Sequence, residues 1–365
     1  MTAKERITAT LSREEPDRVP ICDAPWASTV ENWRAEGYLS DIDAADYFGY
    51  EMKWLFPDNT PRFPYKILEE NSEYIVETNC FGETVKNFKN RSTTPHILKS
   101  PVKDRADWNK IKERLVVDNE RGISYTSNMT FDDVATLTEG MGELNKNRLK
   151  NRYITPVFTV GFDLIQRYLG MERLLLAIID DPDWVREMFY VNAEFAIKLY
   201  ENMADNGYSF DGIFLADDLG YKNGLLFSPM HYKELLFDAD RLICDYFHDQ
   251  GLKVLLHSCG CVKELVPYFI EAGIDCLQPL EVKAGMDLIE LKRDFGESIS
   301  FMGGIDTRLY SSDNTEALEN EIKYKFEAAK KNGGYIYHCD HSIPDIVNFS
   351  QYERVINLVK KYGKY

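Results

Sequence analysis

His257-Ser258-Cys259 sets an imidazole and a thiol two residues apart, and a further cysteine, Cys339, follows near the end of the chain. On an extended strand residues i and i+2 share a face, so the pair can present two donors together, and Cys339 from another strand end can supply a third. Thiolate and imidazole are the preferred donors of zinc, and three protein ligands leave one position for substrate. The same residues also have an ordinary reading. Free cysteines are among the most buried residue types, and His257 can be a hydrogen-bonded core residue. Spacing alone leaves both open. Cys261 begins the approach to a helix and reads as a spectator, while Cys22, Cys80, Cys244 and Cys276 fall where packing suffices. Strand alternation turns His338 away from Cys339, which makes it a reserve ligand. Asp217 and Asp218 are consecutive carboxylates, so only one can face a common site, there to handle a proton or orient substrate. Glu281 is a candidate fourth, displaceable ligand or the partner of a buried charge. His341 joins the two aspartates as a candidate catalytic group, acting in support of the ligands.

These residues need elements that gather them. From residue 153 onward a short apolar strand, a loop and a helix recur, with strands expected at 154–159, 212–216, 254–257, 275–279, 300–303 and 335–339. Helices fall between them, at 229–250, 262–272 and 315–332. Continuous apolar strands alternating with helices imply a buried parallel sheet. Strands at 19–22 and 52–56 bring the number to eight, which closes a (β/α)8 TIM-type barrel. An open doubly wound sheet is the alternative. In a barrel the chemistry sits at the C-terminal strand ends, which is where the residues above fall. A helix is expected at 3–11 and another near 28–36. Residues 63–89 alternate polar with β-forming residues and read as an antiparallel meander. It is too small for its own core, so the chain is one α/β domain, 1–365, with residues 60–150 an excursion from the barrel.

The chain has 365 residues, 44% hydrophobic and 28% charged, with a formal net charge of −17. That balance opposes binding to nucleic acid or anionic lipid, both of which need concentrated Lys and Arg. No apolar run reaches the length of a membrane span, and the polar, charged N-terminus is unlike a signal peptide, so a cytoplasmic protein is expected. Seven irregularly spaced cysteines make no disulfide framework. Gly-rich phosphate loops and the G-x-S-x-G elbow are absent.

A series of segments, each short, is similar to the uroporphyrinogen decarboxylase superfamily. It opens with Asp17-Arg18-Val19-Pro20, continues through Ala216-Asp217-Asp218-Leu219-Gly220 and Leu226-Phe227-Ser228-Pro229, and is strongest at His257-Ser258-Cys259-Gly260 and Glu271-Ala272-Gly273-Ile274-Asp275. Gly303-Gly304-Ile305-Asp306-Thr307 and the stretch from Gly334 to Pro344 complete it. The resemblance implies a distorted β/α barrel. Porphyrinogen decarboxylases carry an arginine-rich carboxylate grip after the first strand. Here that place reads Cys22-Asp23-Ala24-Pro25-Trp26-Ala27-Ser28, which is acidic and would repel a polycarboxylate. The chain instead resembles the methylcobamide:coenzyme M methyltransferases and the corrinoid-dependent demethylating methyltransferases. The carry-over of their H-x-C…C zinc motif lands on His257, Cys259 and Cys339. The resemblance implies bound Zn2+, a small methyl donor or acceptor (a methoxyaromatic, a methylamine or a thiol) and a corrinoid. No D-x-H-x-x-G cobalamin-binding pattern occurs in this sequence, so the corrinoid would arrive on a partner protein docking over the barrel mouth. A homodimer is compatible with this reading. The alternatives are a decarboxylase acting on a different small substrate and a non-catalytic accessory barrel. Trp26, Trp33, Phe131, Tyr153 and Phe158 would suit a planar methoxyaromatic ring, although aromatic residues at such places more often serve packing.

Overall fold

The structure is a computed structural model that describes residues 1–89, 95–125 and 134–365. Seven parallel strands lie side by side in the order Met52–Pro57, Tyr153–Thr159, Gly212–Ala216, Lys253–His257, Cys276–Gln278, Ser300–Met302 and Tyr335–Ile336. Ile123–Ser124 adds an antiparallel pair on the outer side of Met52–Pro57. The sheet curls until its two ends approach, and residues 19–22 fill the gap. Tyr337 N–H donates to the Pro20 carbonyl (3.0 Å) and Cys22 N–H to the Tyr337 carbonyl (3.0 Å), while Glu51 N–H donates to the Ile21 carbonyl (2.9 Å) on the other flank. The ring thus closes as a distorted barrel of eight positions. The eighth is a correction to the expected strand at 19–22: this segment makes only a single bridge, Ile21 to Tyr337. Pro20 has no N–H, so a regular ladder cannot run through it. The segment is held instead by Arg18, which donates to Glu51 (2.8 Å), and by Glu51, which accepts from Ile21 N–H (2.8 Å).

The first helix, Ala3–Leu11, is capped by Thr2 and Glu5 in a reciprocal box. Its buried residues Ile7 and Leu11 join Cys22, Met52, Tyr153, Phe214, Leu255, Cys276, Met302 and Ile336 in the cluster that fills the barrel from below. Alternation along each strand then decides what lies one layer higher. Trp54, Val157, Ala216 and His257 each follow a residue of that sealed cluster by two positions or sit two or four beyond it, and all four are only half-buried. Solvent therefore reaches into the barrel mouth down to this layer and no further.

The excursion is a four-stranded antiparallel meander, Lys66–Glu70, Tyr74–Thr78, Thr84–Phe88 and His96–Lys99, in sequential order. The last strand lies beyond the expected span. The helix expected over 229–250 is a short turn, Pro229–His231, a π-helical turn at Tyr232–Leu236 and the helix Phe237–Asp249. π turns inside helices often mark functional positions; here the Tyr232 hydroxyl donates to Asp240 across the irregular turn (2.6 Å). Trp33, Tyr153 and Phe158 are fully buried and pack the core instead of facing a substrate. Phe131 lies outside the described residues, and Trp26 is exposed.

Candidate metal and active site

His257 ends the fifth barrel position with its ring turned into the mouth. Its Nδ1 meets Gln278 Oε1 (2.6 Å) on the neighbouring strand. An amide oxygen only accepts, so Nδ1 carries a proton and, in the neutral ring, Nε2 is left with its lone pair. Nε2 lies 3.2 Å from Cys259 Sγ and 3.4 Å from Asp218 Oδ1. The expected pairing of imidazole and thiol two residues apart is therefore present. Gln278, which orients the ring, also reaches His338 Nε2 (3.4 Å), so a polar layer crosses three barrel positions.

The two aspartates part, as alternation requires. Asp218 faces the mouth and accepts from Cys259 N–H (2.9 Å). Burial opposes its ionisation, but the His257 hydrogen bond and charge outweigh burial and hold the carboxyl at about 2. Burial likewise opposes charge on His257, and Asp218 more than compensates, raising the imidazole. Asp217 turns behind the sheet, is sealed from solvent, and accepts from Asp163 N–H (2.7 Å) at the start of the Gly161–Leu169 helix. Its Oδ2 has no partner among the described residues. Burial, then the neighbouring Asp240, push its carboxyl well above the usual range.

Two further groups surround Cys259. Ligand atoms of Cys259, Glu281 and His341 lie within 4.8 Å of one another, as do those of Asp218, His257 and Cys259. Glu281 is buried, accepts from Gly260 N–H (3.0 Å) and has Lys283 3.4 Å from its other oxygen. Burial, Asp218 and Glu281 push the Cys259 thiol far above its ordinary value. His341 is pushed down, by burial first and then by His257. Cys339 is not in either group. Its thiol lies with Asp23 and His338, all buried, and burial and Asp23 drive it well up. His338, held as a reserve, is the residue of strand eight that enters the polar layer.

Two neighbours of this site escaped the sequence reading. Asp163 follows the third strand by a few residues; burial, and secondarily Asp218, raise its carboxyl against the pull of Arg167. Trp54 forms the mouth's apolar wall, with ring centroids 5.8 Å from Phe214 and 6.3 Å from His338. The alternation of residues 52–56 carried the second signal; nothing in the sequence carried the first.

Behind the site, burial raises the Asp240 carboxyl to about 7 despite the Tyr232 hydrogen bond. Unfolded, an aspartate titrates near ~3.9. The folded protein keeps this proton to higher pH, so Asp240's contribution to stability is intact below pH ~4, falls as pH rises, and is lost above pH ~7. Asp240→Asn removes the ionisation. Between pH 5 and 8 the variant should gain roughly 3 kcal/mol over wild type in urea unfolding; parallel pH profiles would refute the assignment.

A family model described as uroporphyrinogen decarboxylase (URO-D) matches residues 72–362. A methylated-thiol–coenzyme M methyltransferase of Methanosarcina mazei is 23% identical over 214 residues, 55% of this chain and 53% of that protein. The match thus spans about half the length of that relative. A solved structure of a methyltransferase from Methanosarcina mazei superposes with a TM-score of 0.67 over 99% of both chains at 16% identity, a likeness of fold. Among the described residues no helix is long and apolar enough to cross a membrane.

Proposed function

The chain belongs to the uroporphyrinogen decarboxylase family, and from that premise we propose that it is a zinc-dependent methyltransferase exchanging a methyl group between a small substrate and a corrinoid on a partner protein. The observation that carries this reading is the convergence of His257, Cys259, Asp218, Glu281 and His341 at the barrel mouth. The donor set fits a metal ion. A thiol crowded by two carboxylates resists ionisation on its own, and a bound cation reverses that balance. His257 and Cys259 would hold the ion, with the remaining positions filled from the same cluster. A bound zinc supplies positive charge to the oxygen, nitrogen or sulfur that carries or receives the methyl group.

The chain's own residues do the rest. Gln278 fixes the His257 ring, leaving Nε2 toward the cluster. Asp218, ionised at neutral pH, is placed to accept a proton or orient substrate beside Cys259. Trp54 and Val157, half-buried above the sealed cluster, give the mouth an apolar wall that excludes water from one side of the substrate. The relative named a methylated-thiol methyltransferase supports a methyl-transfer reading. The test is the absorbance of a cobalt(I) corrinoid protein mixed with this chain and methoxyaromatics, methylamines, methanol or methylated thiols, with the reverse assay using methylated corrinoid and thiols. Metal-dependent transfer to or from one donor class is expected. Silence across the whole panel would refute the reading.

The place of the arginine grip supports the choice within the family. Asp23 is buried there, accepting from the hydroxyls of Tyr352 (2.9 Å) and Tyr337 (3.0 Å). A buried acceptor in a tyrosine cage cannot clamp a propionate. Purified protein should form no coproporphyrinogen from uroporphyrinogen by porphyrin fluorescence; formation at enzyme-like rates would overturn this exclusion.

A further inference from the structure

Resting on the proposal that a metal ion sits in this mouth, we infer that Glu281 and His341 complete the ligand set around His257 and Cys259, giving a site with one sulfur, and that Cys339 stands outside it. Strand alternation carries the argument. In the eighth barrel position Ile336 belongs to the cluster inside the barrel, whereas Tyr335, Tyr337 and Cys339 belong to the core between the sheet and its helices. The extended pairing continues through Cys339, which bridges Ile305, and Asp340 N–H donates to the Ile305 carbonyl (2.8 Å). Cys339 N–H donates to Asp23 Oδ1 (3.3 Å). The Cys339 thiol therefore faces the outside of the barrel wall, beside a carboxylate whose other oxygen is held by two tyrosines. Turning it inward would break the bridge to Ile305 and displace His338 from Gln278.

His341 is under no such constraint. It lies between the Cys339 bridge to Ile305 and the Ile343 bridge to Pro25 and is part of neither, and its ring is half-buried with its centroid 6.5 Å from that of His257. Glu281 enters from the loop after the sixth position, fixed by Gly260 N–H beside Cys259. Imidazole and carboxylate are both ordinary zinc donors. A carboxylate in place of a second thiolate also provides a harder ligand, one that substrate can displace more readily than sulfur.

The test uses the purified full chain loaded with zinc or with cobalt(II), and reads metal per chain and the sulfur-to-cobalt charge-transfer absorption per bound cobalt. Wild type should bind about one ion. Cys339→Ser should keep that ion and leave the charge-transfer band unchanged, while Glu281→Gln and His341→Ala should each weaken metal affinity at least about tenfold. Cys339 is fully buried and its variant could misfold, so Cys259→Ser gives an independent reading in which Cys339 stays intact. Any cobalt forced onto Cys259→Ser should show no sulfur-to-cobalt band. A residual band of about half intensity, or loss of metal from a folded Cys339→Ser protein, would show a second sulfur ligand and overturn the inference while leaving the metal site standing. A wild-type chain that binds neither metal would overturn both.

Discussion

Cys259→Ser should release the bound metal and slow methyl transfer on the order of a thousandfold. Cys259 is shared by both ligand groups at the mouth, so no other single side chain touches as much of the site. Serine keeps the size but not the soft, ionisable sulfur on which zinc affinity depends. Lewis-acid stabilisation of a leaving or attacking heteroatom is worth several kcal/mol, and each ~1.4 kcal/mol is a factor of ten in rate. The backbone should survive the change, because Asp218 and Glu281 hold the Cys259–Gly260 turn through main-chain N–H groups. Metal analysis with the cobalt absorbance assay checks both halves. Cys261→Ser is the control: Cys261 belongs to neither ligand group, and its N–H is tied to the Tyr221 carbonyl (2.9 Å). Transfer at the wild-type rate by metal-free Cys259→Ser protein would refute the mechanism.

Gly260→Ala should be nearly as damaging without touching a ligand. Gly260 has φ of +81°, and a Cβ there would lie 2.4 Å from the Gly220 carbonyl carbon and 2.5 Å from Tyr221 N. Both obstacles are backbone, so neither can swing away as a side chain would. The left-handed conformation adds a cost of its own for a residue with a Cβ. The two together should cost on the order of 3 kcal/mol or more, and relief requires the loop carrying Cys259 to pull away from residues 220–221. A lowered unfolding midpoint together with weakened metal binding is expected. Wild-type stability and metal affinity in this variant would mean that the close approach of the two loops is not needed.

The parts of the molecule that were legible in the sequence are those set by local periodicity. The helix at Ala3–Leu11 and the strand at Gly212–Ala216 fall where apolar pattern and capping place them. The rhythm of strand, loop and helix was enough for the barrel, since parallel strands buried on both faces leave a continuous apolar signal. Two consequences of alternation also held within single segments. His257 and Cys259 come together, and Asp217 and Asp218 face opposite ways.

What the sequence could not determine was the phase of one strand against another. Alternation says that His338 and Cys339 face opposite sides; it does not say which side is the barrel mouth. That is decided by pairing with Ile305, by the contact of residues 20–22 with Tyr337, and by a buried Asp23 more than three hundred residues away in sequence. Gln278 and Asp163 acquire their roles in the same way, from neighbours supplied by other strands and helices. Trp33, Tyr153 and Phe158 were open to either lining a pocket or filling a core, and only closure of the barrel put them in the core. A side-chain period of two is a property of the strand alone, whereas the face it turns to a ligand depends on register, and register is a property of the whole sheet.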